Sequence, residues 1–320
     1  MPNLNSKPPT PTPALPPQRG RVRERGVRRW RRLQDRLIFR FFQINGVISI
    51  LILLGIFFLL LSDGFPAVKN LGLSGFFSMI WNPTSFVKET YGLGAMIIST
   101  LMVTFGAMFI AVPIGLGCAA YLAEVAPGWV RETLKPVIEI LAGIPSVVLG
   151  FLGIVVVGPA IASLFHLPNG LNALNGSILL AVMSLPTIIS ISEDAISSVP
   201  RNYKEASLAL GATRWQTLIK VVVPSALSGI IASVMLGMGR AIGETMSVLM
   251  ATGNALKTPH HFFDSVRTMT ATIAIELGEV PFGSDHYHGL FVVGFILFLM
   301  TFVVNLIADI VLNRYQEVDR

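Results

Sequence analysis

Along this chain, long apolar runs alternate with short polar interruptions, and the runs have the length of a bilayer crossing. A hydrocarbon core about 30 Å thick takes about 20 consecutive apolar residues in a helix. Six stretches qualify, at 44–61, 95–122, 137–165, 176–192, 226–251 and 290–312. They predict an all-α, polytopic membrane protein with six transmembrane helices. The fourth run is short and contains Pro186, so it either tilts little or continues as non-helical backbone buried inside protein. Pro113, Pro145 and Pro186 lie within runs. They read equally well as bends around a pathway and as the prolines that membrane helices ordinarily carry.

Composition points the same way. The 320 residues are 52% hydrophobic and only 13% charged, with a mean hydropathy of +0.67. An average soluble chain carries about 25% charged residues, so a pair of soluble domains is excluded.

The charge distribution orients the helices. Of 24 Lys and Arg, 11 precede the first run. Arg131 and Lys135, then Arg201, Lys204, Arg214 and Lys220, then Arg314 and Arg320 fall in alternate loops. The opposite loops hold Lys69, Lys88, Lys257 and Arg267. The positive-inside bias therefore places both termini in the cytoplasm. The net charge of +6 is explained by the N-terminal cluster. That cluster abuts a membrane run and has little aromatic interleaving beyond Trp30, so it reads as contact with anionic membrane lipid and a topology signal, not as a nucleic-acid site.

Residues 1–40 are expected to be a disordered, Pro-rich and basic cytoplasmic tail, 41–315 the transmembrane domain, and 316–320 a second short tail. No small-residue cleavage site follows the first run, which is expected to remain as a helix. Cys118 is the one cysteine, lies inside the second run, and is expected to be a small packing residue.

Two polar segments carry candidate chemistry. The first is the interruption at 203–224, which overlaps a cytoplasmic coupling loop expected to span 194–223. A small-residue helix with Glu205 near its start should run to Gly211, where a sharp turn requires positive φ. A second amphipathic turn follows, and Pro224 is expected to open the next membrane helix. The product is a short helical hairpin at the membrane surface that offers a compact face to a partner.

The second segment is Gly239-Arg240-Ala241-Ile242-Gly243-Glu244-Thr245, midway along the fifth run. A lone arginine near the bilayer centre costs about 2.5–3.5 kcal/mol on insertion scales. Arg240 and Glu244 stand at i and i+4, so on one continuous helix they would share a face and pair. Either the pair locks helices together, or Arg240 meets an anion or gate and Glu244 holds it when the site is empty. Gly237, Gly239 and Gly243 thin the helix for a close neighbour.

Other chemistry is thin. No G-x-x-x-x-G-K-[ST] phosphate loop is present, and Gly253–Thr258 lacks the glycine before Lys257. ATP and Mg are therefore expected on a partner chain, with no cofactor bound by this one and no catalytic residue in it. His260, His261, His286 and His288, with Asp264 and Asp285, occupy one external loop at no standard metal-site spacing.

The hairpin segment resembles the EAA loop of binding-protein-dependent ABC permeases, through Glu205-Ala206-Ser207, Gly211 and Val223-Pro224, with Ser207 in place of the third-position alanine. The string Met238–Met246 is similar to the fifth-span signature of phosphate importer permeases of this type I family. So are the segments 123–129 and 139–148. Gly239 before Arg240 and Gly253-Asn254 after the span resemble the PstC-type subunit more than its PstA-type partner. The likeness covers about 45–315.

The resemblance implies a non-enzymatic permease in the bacterial inner membrane. It implies assembly with a PstA-type second permease, an ATP-binding subunit dimer and an extracytoplasmic phosphate-binding protein. Glu205, Ala206, Ser207, Gly211 and Pro224 would couple to the ATPase; Arg240, Glu244 and Thr245 would line or gate the pathway. Sulfate or molybdate as cargo, or an ion-coupled secondary transporter using Arg240 and Glu244 as a relay, stay open on the residues alone.

Overall fold

The structure is a computed structural model and describes residues 19–85 and 89–316, with side chains from 36 to 311 save that of Leu73. Contacts divide the chain into two units, Met1–Ile56 and Phe57–Arg320.

Helix α1 (Arg19–Leu71) supplies the first unit and opens the second. The helix begins at Arg19, in a stretch rich in arginine, a good helix former. The proline-rich residues 1–18 lie outside the described residues.

In the second unit, α2 (Leu73–Phe76) and a two-stranded hairpin precede the first buried helix. Strands β1 (Trp81–Asn82) and β2 (Thr90–Tyr91) pair antiparallel, Trp81 opposite Tyr91. This hairpin is the one β-sheet among the described residues.

Helix α3 (Gly94–Ala120) continues as one π-helical stretch, Tyr121–Val125, and α4 (Gly128–Ala142) follows. The third apolar run is therefore divided. The chain breaks at Gly143-Ile144-Pro145 and resumes as α5 (Ser146–Leu152), a π stretch at Gly153–Val157, and α6 (Gly158–Phe165). Pro145 cannot donate a helical hydrogen bond and disfavours the α region at the residue before it, and Pro145 itself is extended at φ −59° and ψ 136°. Pro113 and Pro186, by contrast, sit inside continuous helices.

Helix α7 (Ala173–Ser197) is longer than the fourth apolar run. Its N-cap, Asn172, accepts a hydrogen bond from the Asn175 amide at 3.0 Å. A short-helix segment follows: α8 (Arg201–Ala209), α9 (Arg214–Thr217), a π stretch at Leu218–Val222, and α10 (Val223–Ser225). After a 70° bend come α11 (Leu227–Gly243) and α12 (Met246–Ala251). Helices α13 (Met269–Glu276) and α14 (Asp285–Gln316) complete the described chain.

Five of these helices or helix runs are long and apolar enough to cross a membrane, and the bent pair Arg214–Ser225 with Leu227–Gly243 makes a sixth. The most enclosed are α3 and α7. Val103, Ala107 and Ala111 from α3 pack with Leu180, Ala181 and Ile188 from α7. Ile188 acts as a wedge between three helices. A Cβ at Gly115 of α3 would come to 2.7 Å of its side chain, and one at Gly237 of α11 to 2.9 Å. Helices in a bilayer gain little from burying apolar surface against each other, so such close backbone approach holds them together. Cys118 does not pack in this core; it lies on the exposed outer face of α3.

Candidate functional site

The helical hairpin is built by local signals. Pro200 ends the preceding turn and caps α8 in an extended conformation. Gly211 then takes φ +84°, as expected, and its amide donates to Leu208 O at 3.0 Å. The second arm starts with a capping box: Gln216 N donates to Thr213 Oγ1 at 3.2 Å, and Thr213 N to Gln216 Oε1 at 2.9 Å.

The two arms are tied together at Ser207, whose hydroxyl lies 3.0 Å from that of Thr217. A serine at this place in the motif is thus more than a small residue. Lys204 pairs with Glu124 at the end of the α3 π stretch and fastens the hairpin to the bundle. Glu205 and Ala206 face outward. Around them Leu210 is 91% exposed and Trp215 67%. Lys204, Leu208, Arg214 and Trp215 line a groove of about 550 Å³. Exposed large apolar side chains beside a charged groove are the surface expected of a docking element.

Pro224 sits differently from expectation. It lies in α10, before the bend, and the next long helix opens at Leu227. The Ala226 amide, shared between Val222 O at 3.0 Å and Val223 O at 3.2 Å, closes the last turn before the chain swings away.

One cluster was missed by sequence reasoning. Glu193, 1% exposed near the end of α7, accepts from Arg131 and, at 2.7 Å, from Lys135, both on α4. Ser197 Oγ joins at 3.1 Å, and Lys135 also reaches Asp194 at 2.8 Å. The hydrogen bonds that Lys135 donates to Asp194 and Glu193 hold its ammonium above its ordinary pKa. The signal was a Glu-Asp pair ending an apolar run, with two cations four residues apart upstream.

The intramembrane segment requires a correction. Arg240 and Glu244 do not share a helix. Helix α11 ends at Gly243, and Glu244 is extended, at φ −69° and ψ 134°. No ion pair joins them among the described residues. Arg240 is exposed and makes no hydrogen bond or ion pair there. Glu244 Oε1 instead accepts from Ser247 N at 3.3 Å, and Glu244 O accepts from Thr270 Oγ1 at 2.9 Å. Thr245 is half-buried in the break. Of the three glycines, Gly237 alone meets a close neighbour; a Cβ at Gly239 would be 3.9 Å from Asn305 and one at Gly243 would meet nothing within 4 Å.

The two broken spans touch. Ser247 Oγ, at the start of α12, donates to Ser146 O at 2.8 Å, just past the Pro145 break. At the other end of the bundle Glu276 accepts from Trp81 Nε1 at 3.0 Å and Arg267 at 2.8 Å, and pairs with His286 at 2.8 Å. His288 is bonded to Asp63 O at 2.7 Å, so the four histidines do not converge. Amides of His260 and His261, with Lys257 and His261 nearby, bring the Asp264 carboxyl down to about 2 despite partial burial.

A bundle of interrupted apolar helices with a helical hairpin fastened to it through the Lys204–Glu124 pair has the form of a polytopic membrane permease subunit. Residues 111–317 match the family described as binding-protein-dependent transport system inner membrane component, and the chain belongs to that family. A probable ABC transporter permease of Bacillus subtilis, YqgH, is 42% identical over 74% of this chain and 76% of its own length. The phosphate transport system permease protein PstC of Mesorhizobium japonicum is 35% identical over 94% of this chain and 96% of its own. PstC 1 of Mycobacterium tuberculosis is 32% identical over 86% and 91%.

Among solved structures, the inward-facing MetNI methionine ABC transporter is similar with a TM-score of 0.54 at 21% identity, over 68% of this chain and 93% of that one. A bacterial ABC transporter for the acidic polysaccharide alginate reaches 0.59 at 15% identity, over 90% and 99%. These two likenesses establish the fold.

Proposed function

We propose that this chain is a permease subunit of an ATP-driven phosphate importer in a bacterial inner membrane, with both termini cytoplasmic. Arg240 carries the reading. Its guanidinium stands in an apolar span, exposed and unpartnered among the described residues, one turn before the helix breaks. A guanidinium offers planar, bidentate donors suited to phosphate oxygens, and an unpaired intramembrane charge needs a watery or ligand-bearing surface. The relatives named as phosphate permeases support phosphate as the cargo.

The partners are a PstA-type permease, a dimer of ATP-binding subunits and an extracytoplasmic phosphate-binding protein. ATP and Mg belong to the ATPase. The hairpin around Glu205–Gly211, held to α3 through Lys204 and Glu124, docks on that ATPase and passes its motion to α11 across the 70° bend. Alternating access then consists of two global states that ATP and cargo bind unequally. Glu244 and Thr245, in the extended break, are where the pathway narrows or opens.

Proteoliposomes holding the full complex test the reading. Radiolabelled phosphate uptake should depend on ATP and on the binding protein, and should resist excess sulfate and molybdate. Competition by either anion would replace phosphate with another oxyanion; uptake driven by an ion gradient without ATP would refute the class. Reporter fusions at Arg131 and Arg214 should be cytoplasmic and those in 257–285 external. An external Arg214 would overturn both the orientation and the docking role.

A further inference from the structure

The broken fifth span has an unexpected anchor. The first helical bond of α12 runs from Leu249 N to Thr245 O at 2.9 Å, which leaves the Glu244 carbonyl outside the helix. The Thr270 hydroxyl takes that carbonyl at 2.9 Å. Thr270 is 6% exposed in the first turn of α13, a segment remote in sequence from the break.

Its own position is fixed from two directions. Thr268 caps α13 through the Ala271 amide at 3.3 Å and lies 3.1 Å from the Thr270 hydroxyl. Thr100 of α3 accepts from Met269 N at 3.1 Å and seats the same turn against the most enclosed helix pair. An unsatisfied carbonyl in a membrane interior is costly, so the bond selects one conformation of the peptide at Glu244.

We propose that Thr270 is a positioning residue for transport: its hydroxyl fixes the Glu244 peptide, and through it the direction in which the Arg240 end of α11 and the Glu244 side chain face the pathway. This rests on the reading that Arg240–Thr245 borders the pathway. Thr270 touches neither cargo nor Arg240; it acts on the backbone between them. A serine keeps the donor and a valine keeps the shape without it, so the two variants separate the hydrogen bond from packing.

The test uses the assembled complex with Thr270→Val, Thr270→Ser and Thr270→Ala. Two readouts are taken at equal assembled level: phosphate uptake, and the rate at which a cysteine placed by Thr245→Cys in a Cys118→Ser background reacts with a water-soluble thiol reagent. In Thr270→Val both should change by about fivefold, the weight of one neutral hydrogen bond, while Thr270→Ser stays within about twofold of its parent. Uptake and labelling in Thr270→Val equal to the parent would overturn the proposal. So would loss of assembly in Thr270→Val and Thr270→Ala alike, which would make the hydroxyl merely structural. Uptake is read with Thr245 intact; a protein with native Thr245 that takes up no phosphate, while its Thr245→Cys counterpart labels as expected, would refute the cargo alone.

Discussion

The sharpest prediction concerns Gly211. Its φ of +84° lies where a Cβ is disfavoured, yet a Cβ built there meets nothing within 4 Å. Substitution therefore strains the backbone without clashing, and the cost is set by conformation alone. A left-handed residue other than glycine costs roughly 1–2 kcal/mol, with asparagine at the low end and a β-branched residue at or above the high end. If the hairpin must hold this turn to dock, that strain is subtracted from docking. An expense of about 1.4 kcal/mol is tenfold in affinity, so Gly211→Ala should weaken ATPase binding about five- to tenfold and Gly211→Val about thirtyfold. Gly211→Asn should stay within about threefold of the parent. The assay is titration of the purified ATPase onto the permease in nanodiscs, with membrane insertion checked separately. The order Asn, Ala, Val is the diagnostic. Equal binding by Gly211→Asn and Gly211→Val would refute the argument that turn geometry, and not side-chain volume or charge, governs docking.

Other outcomes follow from the same structure. Arg240→Gln should cut phosphate uptake at least about tenfold at unchanged assembly, because residues that do not pair contribute independently; assembly that falls in Arg240→Gln and recovers when Glu244→Gln is added would mean the two pair after all. Glu193→Leu should lower the melting temperature of the purified protein, with a cost between the ~1 kcal/mol of an exposed pair and the ~3–5 kcal/mol of a buried one, since Arg131 is 41% and Lys135 32% exposed; an unchanged melt would show that the clamp carries no stability. The Asp264 carboxyl is depressed from 3.8 to about 2 in the folded loop. Its contribution is therefore present above the unfolded value and is lost as pH falls from about 4 through about 2. The protection of the His260 and His261 amides, relative to their intrinsic exchange rates, should fall over that window and in Asp264→Asn at neutral pH; protection unchanged in the variant would refute it.

The spans and the hairpin were legible because each is written in neighbouring residues. Twenty apolar positions specify a crossing whatever they pack against. Gly211, and the polar residues around it, specify the turn locally. The breaks were not legible in the same way. A hydropathy window sees 226–251 as one run, although α11 stops at Gly243, and the continuous helix it implies produced the mistaken pairing of Arg240 with Glu244. The break at Pro145 had a local signal in Gly143-Ile144-Pro145; the one at Glu244 depends on Thr270, 26 residues further on, which only the fold brings near. The Glu193 clamp was hidden for the same reason, its partners lying 58 and 62 residues away.

The π stretch at Leu218–Val222 sets the phase of the docking face. A π turn holds one residue more than an α turn between its bonded ends. One residue is about 100° of rotation about an α-helix axis. Removing a single residue between 218 and 222 would let the stretch relax to α geometry. The arm carrying Arg214 and Trp215 would then be indexed about 100° around from its present heading. Hydropathy, charge and the capping box would all survive such a deletion. What would be lost is the azimuth at which the hairpin meets its partner, so the extra residue works as an angular key cut into an otherwise ordinary helix.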